Sequence, residues 1–198
     1  MEFERGRFRS KEFPVETTLF QEEIVSKTDA TMVNGNQISE FPYGNQFMGK
    51  TILGDAHGNV YFVKNGEVRV ERKEQHSFHQ KNSKPTKGDF TTAVISHGFA
   101  PIDGRYEYAV LVQPTPTEVS SFTKKQSYSV LRCDNQVHIV NDKIANTTGY
   151  AFFEAGNANV KTEILKTSLP SLLMTRREGK LLRLSVADPD LRFYEGAA

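Results

Sequence analysis

The stretch Asn59–Arg72, NVYFVKNGEVRVER, decides the fold class. Val60 and Phe62, then Val68 and Val70, recur at every second position on either side of Asn65-Gly66. A period of two places such residues on one face of a strand. Asn-Gly supplies the positive φ angles of a type I′ turn, so the stretch reads as a β-hairpin. The same texture continues outward. Tyr106, Tyr108, Val110 and Val112 alternate up to Pro114, and strands are expected at Ser127–Arg132, Val137–Val140 and Gly149–Phe153. A last hairpin runs Leu172–Arg177, turns at Glu178-Gly179 and returns over Leu181–Val186.

Composition agrees. Val, Ile and Thr number 16, 8 and 16, so 40 of 198 residues are stiff at χ1 and favour strands; Phe and Tyr add 21. Helix signals reduce to Thr115–Lys124, one or two turns, with Pro116 at the start and Glu118 suited to the first turn. The segment Lys73–Asp89, KEQHSFHQKNSKPTKGD, is polar and rich in turn residues and reads as a long surface loop. The comb Arg5, Arg7, Arg9, Lys11 reads as a basic tail over 1–14. Turn signals every 8 to 15 residues argue for an all-β, antiparallel β-sandwich rather than βα units. The texture changes at Pro114–Gln126. The expected organisation is therefore a first sandwich over 15–114, a linker with a short helix over 115–126, and a smaller C-terminal β-sandwich over 127–198.

Charge and cysteine content set limits. With 25 Lys+Arg against 24 Asp+Glu, a net charge of +1 gives no electrostatic case for nucleic acid or an anionic membrane. No apolar run approaches the roughly 18 residues of a membrane span, and the N-terminus has no apolar core of a signal peptide. Cys133 alone forms no internal disulfide and holds no zinc by itself. A single cysteine suits a reducing cytosol and equally a bacterial secreted protein.

Chemistry-bearing residues are sparse. His76 and His79 sit in the polar segment without a carboxylate cluster at metal-ligand spacing, so no metal site is expected. His138 alternates with Val137 and Ile139 and is expected to face solvent or a polar neighbour. No Gly-x-Ser-x-Gly elbow or P-loop occurs, and Cys133 beside Arg132 reads as an ordinary strand cysteine. Glu16, in Val15–Gln21 (VETTLFQ) just after Pro14, is the acid that stands out; periodicity alone makes it a surface carboxylate on an edge strand.

VETTLFQ resembles the Glu-Thr-Thr motif in the β-sandwich half of polysaccharide lyase family eight, which covers chondroitin, hyaluronan and xanthan lyases. Met32–Gly35, Gly58–Tyr61, Tyr106–Leu111, Tyr128–Arg132, Val137–Lys143, Thr148–Phe152, Met174–Arg177 and Asp188–Leu191 follow in family order, nearest to the chondroitin ABC lyase subgroup. The resemblance implies a partial galactose-mutarotase-like supersandwich followed by the smaller sandwich. It implies β-elimination on uronic-acid polysaccharides such as chondroitin or dermatan sulfate, with hyaluronan as a further candidate. It also implies that most catalytic groups (an Asn or equivalent, a His, a Tyr and an Arg) belong to an α/α toroid domain that would lie before Val15. Glu16 matches the family Glu that reaches across from the sandwich in a supporting role. The chain is thus expected to be the back half of such a lyase, cloned, truncated or encoded alone, and inactive without the toroid in cis or trans. The family is secreted or periplasmic. No cofactor is implied, with structural calcium left open. The alternative reading is a non-catalytic carbohydrate-binding or structural β-sandwich module.

Overall fold

The structure, a computed structural model, describes residues 14–26, 29–101 and 105–189. The Arg5–Lys11 comb and the Asp190-Leu191 end of the last motif lie outside them. The chain divides into two units, Met1–Val119 and Ser120–Ala198, with the division inside the helix Pro116–Lys124, α1.

The first unit holds two antiparallel sheets. One contains β1 (Pro14–Glu23), β4 (Tyr43–Met48), β7 (Glu67–Phe78) and β8 (Pro85–Phe99), in the order β1-β8-β7-β4. The other contains β2 (Thr31–Val33), β3 (Asn36–Ile38), β5 (Thr51–Gly54), β6 (Val60–Val63) and β9 (Tyr108–Leu111), in the order β3-β2-β5-β6-β9. Phe20, Val68, Val70, Ala93 and Ile95 from the first sheet meet Val33, Leu53, Tyr61, Val63 and Tyr108 from the second. Val63, Val68 and Val70 are wholly buried, and each such side chain contributes on the order of 1.5 kcal/mol or more through burial.

The Asn59–Arg72 stretch forms two strands, as its alternation requires, but they do not pair. β6 pairs with β5 and β9, whereas β7 pairs with β4 and β8 in the opposing sheet. Asn65-Gly66 is therefore a corner between sheets. Gly66 has φ +125°, and Asn65 is not among the positive-φ residues, so the two left-handed residues of a type I′ turn are not present. The continuous burial of Tyr61, Phe62 and Val63 is that of a central strand covered on both faces. The I′ hairpin lies instead at Asn34 (φ +50°) and Gly35 (φ +84°), joining β2 to β3.

Lys73–Asp89 is not a loop. Pairing of β7 with β8 continues from Lys73↔Phe90 to Phe78↔Pro85, leaving only 79–84 as the turn. Residues 76–87 are all exposed, so no face selects apolar residues and the period of two has no sequence signature.

α1 runs nine residues, about two and a half turns, slightly longer than expected. It opens with a capping box. Thr115 N donates to Glu118 Oε2 (2.7 Å), and Glu118 N donates to Thr115 Oγ1 (3.3 Å).

The second unit is a five-stranded antiparallel sheet of β10 (Tyr128–Cys133), β11 (Val137–Asp142), β12 (Thr147–Phe152), β15 (Ser171–Glu178) and β16 (Leu181–Ala187), in that order. A small pair, β13 (Gly156–Asn157) and β14 (Lys166–Thr167), joins it. Ala158, Val160 and Ile164 from this region pack on Val137, Ile139, Tyr150 and Phe152. The last hairpin forms as expected. Its turn is Gly179-Lys180, one residue later than the sequence reading, because Glu178 still pairs with Leu181. His138 is buried rather than solvent-facing. Its ring meets Phe153 edge-on at 4.9 Å.

Candidate functional site

Glu16 lies on β1, an edge of its sheet among the described residues. Thr17 and Phe20 point into the core, and Leu19 is the extra residue of a bulge between Thr18 and Phe20. Glu16 therefore stands on the outer face. There it meets the outward positions of β7: Glu67, Arg69, Glu71 and Lys73 alternate with the buried Val68, Val70 and Arg72. Arg69 Nη2 pairs with Glu16 Oε1, and both side chains are about one-third exposed. Arg69 Nε lies 4.0 Å from Glu67 Oε1. Glu16, Arg69, Glu71, Lys73, Thr92 and Val94 line a groove of about 270 Å³ across β1, β8 and β7.

The pair is braced from the core side. Thr17 Oγ1 lies 2.8 Å from His97 Nε2 on β8, and the His97 ring packs tilted against Tyr106, with centroids 5.2 Å apart and planes at 37°. Burial holds the His97 ring below the usual histidine range, so neutral imidazole backs the strand.

The other candidates are not drawn into one site. His76 Nε2 contacts Glu74 at 3.1 Å on the exposed β7–β8 ribbon, His79 begins its turn, and His57 is exposed in the Asp55–Gly58 turn. Cys133 is exposed, and Arg132 beside it binds Asp134 and the carbonyls of Asn157 and Ala158 instead. Tyr61, Tyr108, Tyr128 and Tyr150 are core. Among the described residues no group of three or more His, Cys, Asp or Glu is placed to hold a metal ion.

Two polar centres escaped sequence reasoning. Asp55 is buried and accepts hydrogen bonds from Asn59 N (2.8 Å), Asn59 Nδ2 (2.8 Å) and Tyr61 OH (3.1 Å). Burial first, and Asp55 second, drive the Tyr61 phenol up. Arg72, 1% exposed, donates to Glu40 O, Asp29 O, Thr31 Oγ1 and Thr91 Oγ1. Its signal was available: Val68, Val70 and Arg72 share one period of two, which aims the arginine inward.

Residues 129–191 match the family model described as polysaccharide lyase family 8, C-terminal beta-sandwich domain. The chain is 38% identical over 183 residues to a chondroitin sulfate ABC endolyase of Proteus vulgaris, covering 89% of this chain and 18% of that protein. A chondroitin sulfate ABC exolyase of the same organism is 36% identical over 188 residues, covering 94% and 18%. The chain is a β-sandwich segment of polysaccharide lyase family 8. A solved Paenibacillus xanthan lyase shares the fold, with a TM-score of 0.72 at 20% identity over 91% of this chain and 19% of that one. The family segment described here spans about a fifth of the length of the curated relatives it matches. The nearly all-β architecture and antiparallel sheets expected from the sequence are those of the family.

Proposed function

We propose that this segment is the sandwich component of a glycosaminoglycan lyase acting on chondroitin or dermatan sulfate, and that Glu16 is its contribution to the reaction. β-Elimination removes the C5 proton beside a uronate carboxylate and expels the glycosidic oxygen at C4. The acidity of that proton is low, so the carboxylate must be neutralised while a base and an acid act on either side. An α/α toroid domain, in cis or trans, supplies those groups. Glu16 does not take the proton. Arg69 occupies Oε1 and fixes the carboxylate, and the acceptor capacity of Oε2 remains for a cationic or hydroxyl group brought by the other domain. The observation that carries the reading is this single oriented carboxylate of the Glu-Thr-Thr segment, standing outward at a groove of the first sheet. Such a substrate is extracellular, and export of the protein goes with it.

The test is the ultraviolet absorbance of the unsaturated uronate released from chondroitin sulfate. The chain alone is expected to give no turnover. The toroid domain of a chondroitin ABC lyase, added in trans, is expected to restore it. Glu16→Gln should lower the restored rate by roughly 10- to 100-fold in kcat while KM changes little, as expected for a contact made mainly in the transition state. Robust turnover by the chain alone, or a Glu16→Gln chain as effective as the parent, would overturn the proposal.

A further inference from the structure

The β7–β8 ribbon leaves its sheet behind. β1 pairs with β8 only as far as Phe90, and β4 pairs with β7 only as far as Arg72. Apart from Asp89 O, which accepts from Ile24 N (2.8 Å), the two strands beyond those points pair only with each other and end in the turn 79–84. From Gln75 to Gly88 the sequence QHSFHQKNSKPTKG holds three lysines and two histidines and no Asp or Glu. A chain of net charge +1 thus concentrates cations on one projection. Glu74 neutralises part of it, binding Lys87 Nζ at 2.9 Å and His76 Nε2 at 3.1 Å. Lys81 and Lys84, on the turn, carry no ion pair among the described residues. The turn is internally fixed. His79 N donates to Lys84 O (2.9 Å), Ser83 N to His79 O (2.8 Å), and Lys84 N to Asn82 Oδ1 (3.1 Å). The register pairs Phe78 with Pro85 and His76 with Lys87, so one face of the ribbon presents an aromatic ring, 69% exposed, next to cationic groups. An exposed ring offers an apolar plane for a sugar, and the lysines offer charge for sulfates or carboxylates.

We propose that the ribbon tip, Phe78 to Lys87, is a binding finger for a sulfated polysaccharide. It grips the polymer away from the Glu16 groove. The choice of chondroitin sulfate as polymer rests on the lyase reading above; the binding surface does not. A nucleic acid is the less suited polyanion, because the rest of the chain brings no excess of positive charge to follow a phosphate backbone.

The probe is a chondroitin sulfate oligosaccharide titrated into the full chain by calorimetry. Lys81→Glu with Lys84→Glu should weaken binding about tenfold, the combined effect of two exposed charge contacts. The same charge change at Lys161 and Lys180, in the second unit, should alter it less than twofold. Phe78→Ala should weaken binding by a factor that added salt does not change, while the lysine effect shrinks as salt rises. Unaltered affinity of the ribbon variant, an equal loss in the control, equal binding of a DNA duplex, or no binding by the parent chain would overturn the finger. Ribbon-dependent binding without any Glu16 effect on turnover in trans would leave the finger standing and remove the lyase reading. Glu16-dependent turnover with unaltered ribbon-variant affinity would do the reverse.

Discussion

Replacing Arg72 by methionine tests what holds the first unit together. Its guanidinium bridges the two sheets. Nη1 reaches Thr31 Oγ1 on β2 (3.3 Å) and Thr91 Oγ1 on β8 (3.1 Å), while Nε and Nη2 hold the carbonyls of Glu40 (3.0 Å) and Asp29 (2.7 Å). Thr31 and Thr91 are 0% and 1% exposed, so water does not replace a lost donor there. The two carbonyls are part-buried and rehydrate in part. At about 1 kcal/mol for each of four contacts, less what methionine recovers by apolar burial, Arg72→Met should cost about 3 kcal/mol. With a urea dependence of about 1–2 kcal/mol per molar, the unfolding midpoint of this unit should fall by about 2 M. The penalty comes mostly from acceptors that lose their charged donor, Thr31 and Thr91 keeping only the long bond from Thr31 Oγ1 to Thr91 Oγ1 (3.4 Å), rather than from the loss of a charge. Removing the acceptors should therefore rescue it. Thr31→Val and Thr91→Val added to Arg72→Met should recover about 1–2 kcal/mol, although each valine is destabilising when Arg72 is present. Circular dichroism across a urea series reads both quantities. A cost below about 1 kcal/mol, or an Arg72→Met penalty identical with and without the hydroxyls, would refute the reasoning.

His97 titrates below the usual range because burial disfavours its charged form, so its folded value lies under its unfolded one. Its contribution is present above the unfolded value of about 6.5 and is lost as pH falls through the folded value; the parent should lose more stability than His97→Gln between about pH 7 and 5. Glu118 is held below the ordinary carboxylate value by the backbone and hydroxyl hydrogen bonds of Thr115. Its side-chain NMR titration should show a midpoint under 4.5, and Thr115→Ala should return it upward, the cap being intact above the ordinary value and lost as pH falls through the lowered one. Gly66→Ala should cost about 1–2 kcal/mol, because φ +125° suits only glycine; the unfolding midpoint in urea measures it.

What the sequence disclosed was local order, and what it withheld was partnership. Alternation located β6, β7 and β10 to β12, and residue chemistry located the capped helix and the final hairpin. None of these signals says which strand lies beside which. Asn-Gly occurs at 34–35 and at 65–66, and only the first closes a hairpin. The difference is the strand that follows: β3 returns to pair with β2, whereas β7 finds β8 and β4 across the core, a choice made by contacts far along the chain. The 73–89 ribbon was illegible for another reason. Pattern marks a strand only where one face is buried, and there the backbone hydrogen bonds form without burial. For the site, VETTLFQ identified Glu16, yet nothing local names Arg69 as its partner, since β8 lies between their strands.

One strand ties these levels together. Even positions of β7 face the core, ending in Arg72; odd positions face outward and carry Arg69 to Glu16; the continuation beyond Lys73 becomes the ribbon. In a strand these assignments are not independent. A slip of one residue would turn every inward side chain outward. Arg72 would then lose its two carbonyls and two buried hydroxyls, Val68 and Val70 would enter solvent, and Arg69 would leave Glu16. The cost of moving Arg72 is thus also the energy that fixes Arg69 on the outer face. Arg72, three residues from Arg69, directs its guanidinium hydrogen bonds to Glu40, Asp29, Thr31 and Thr91 and to none of the groove-lining residues, yet through the register of β7 it fixes the face from which Arg69 meets the carboxylate. Its four uncharged acceptors are scattered over β2, β8 and two connecting segments, and only one register of β7 satisfies them all.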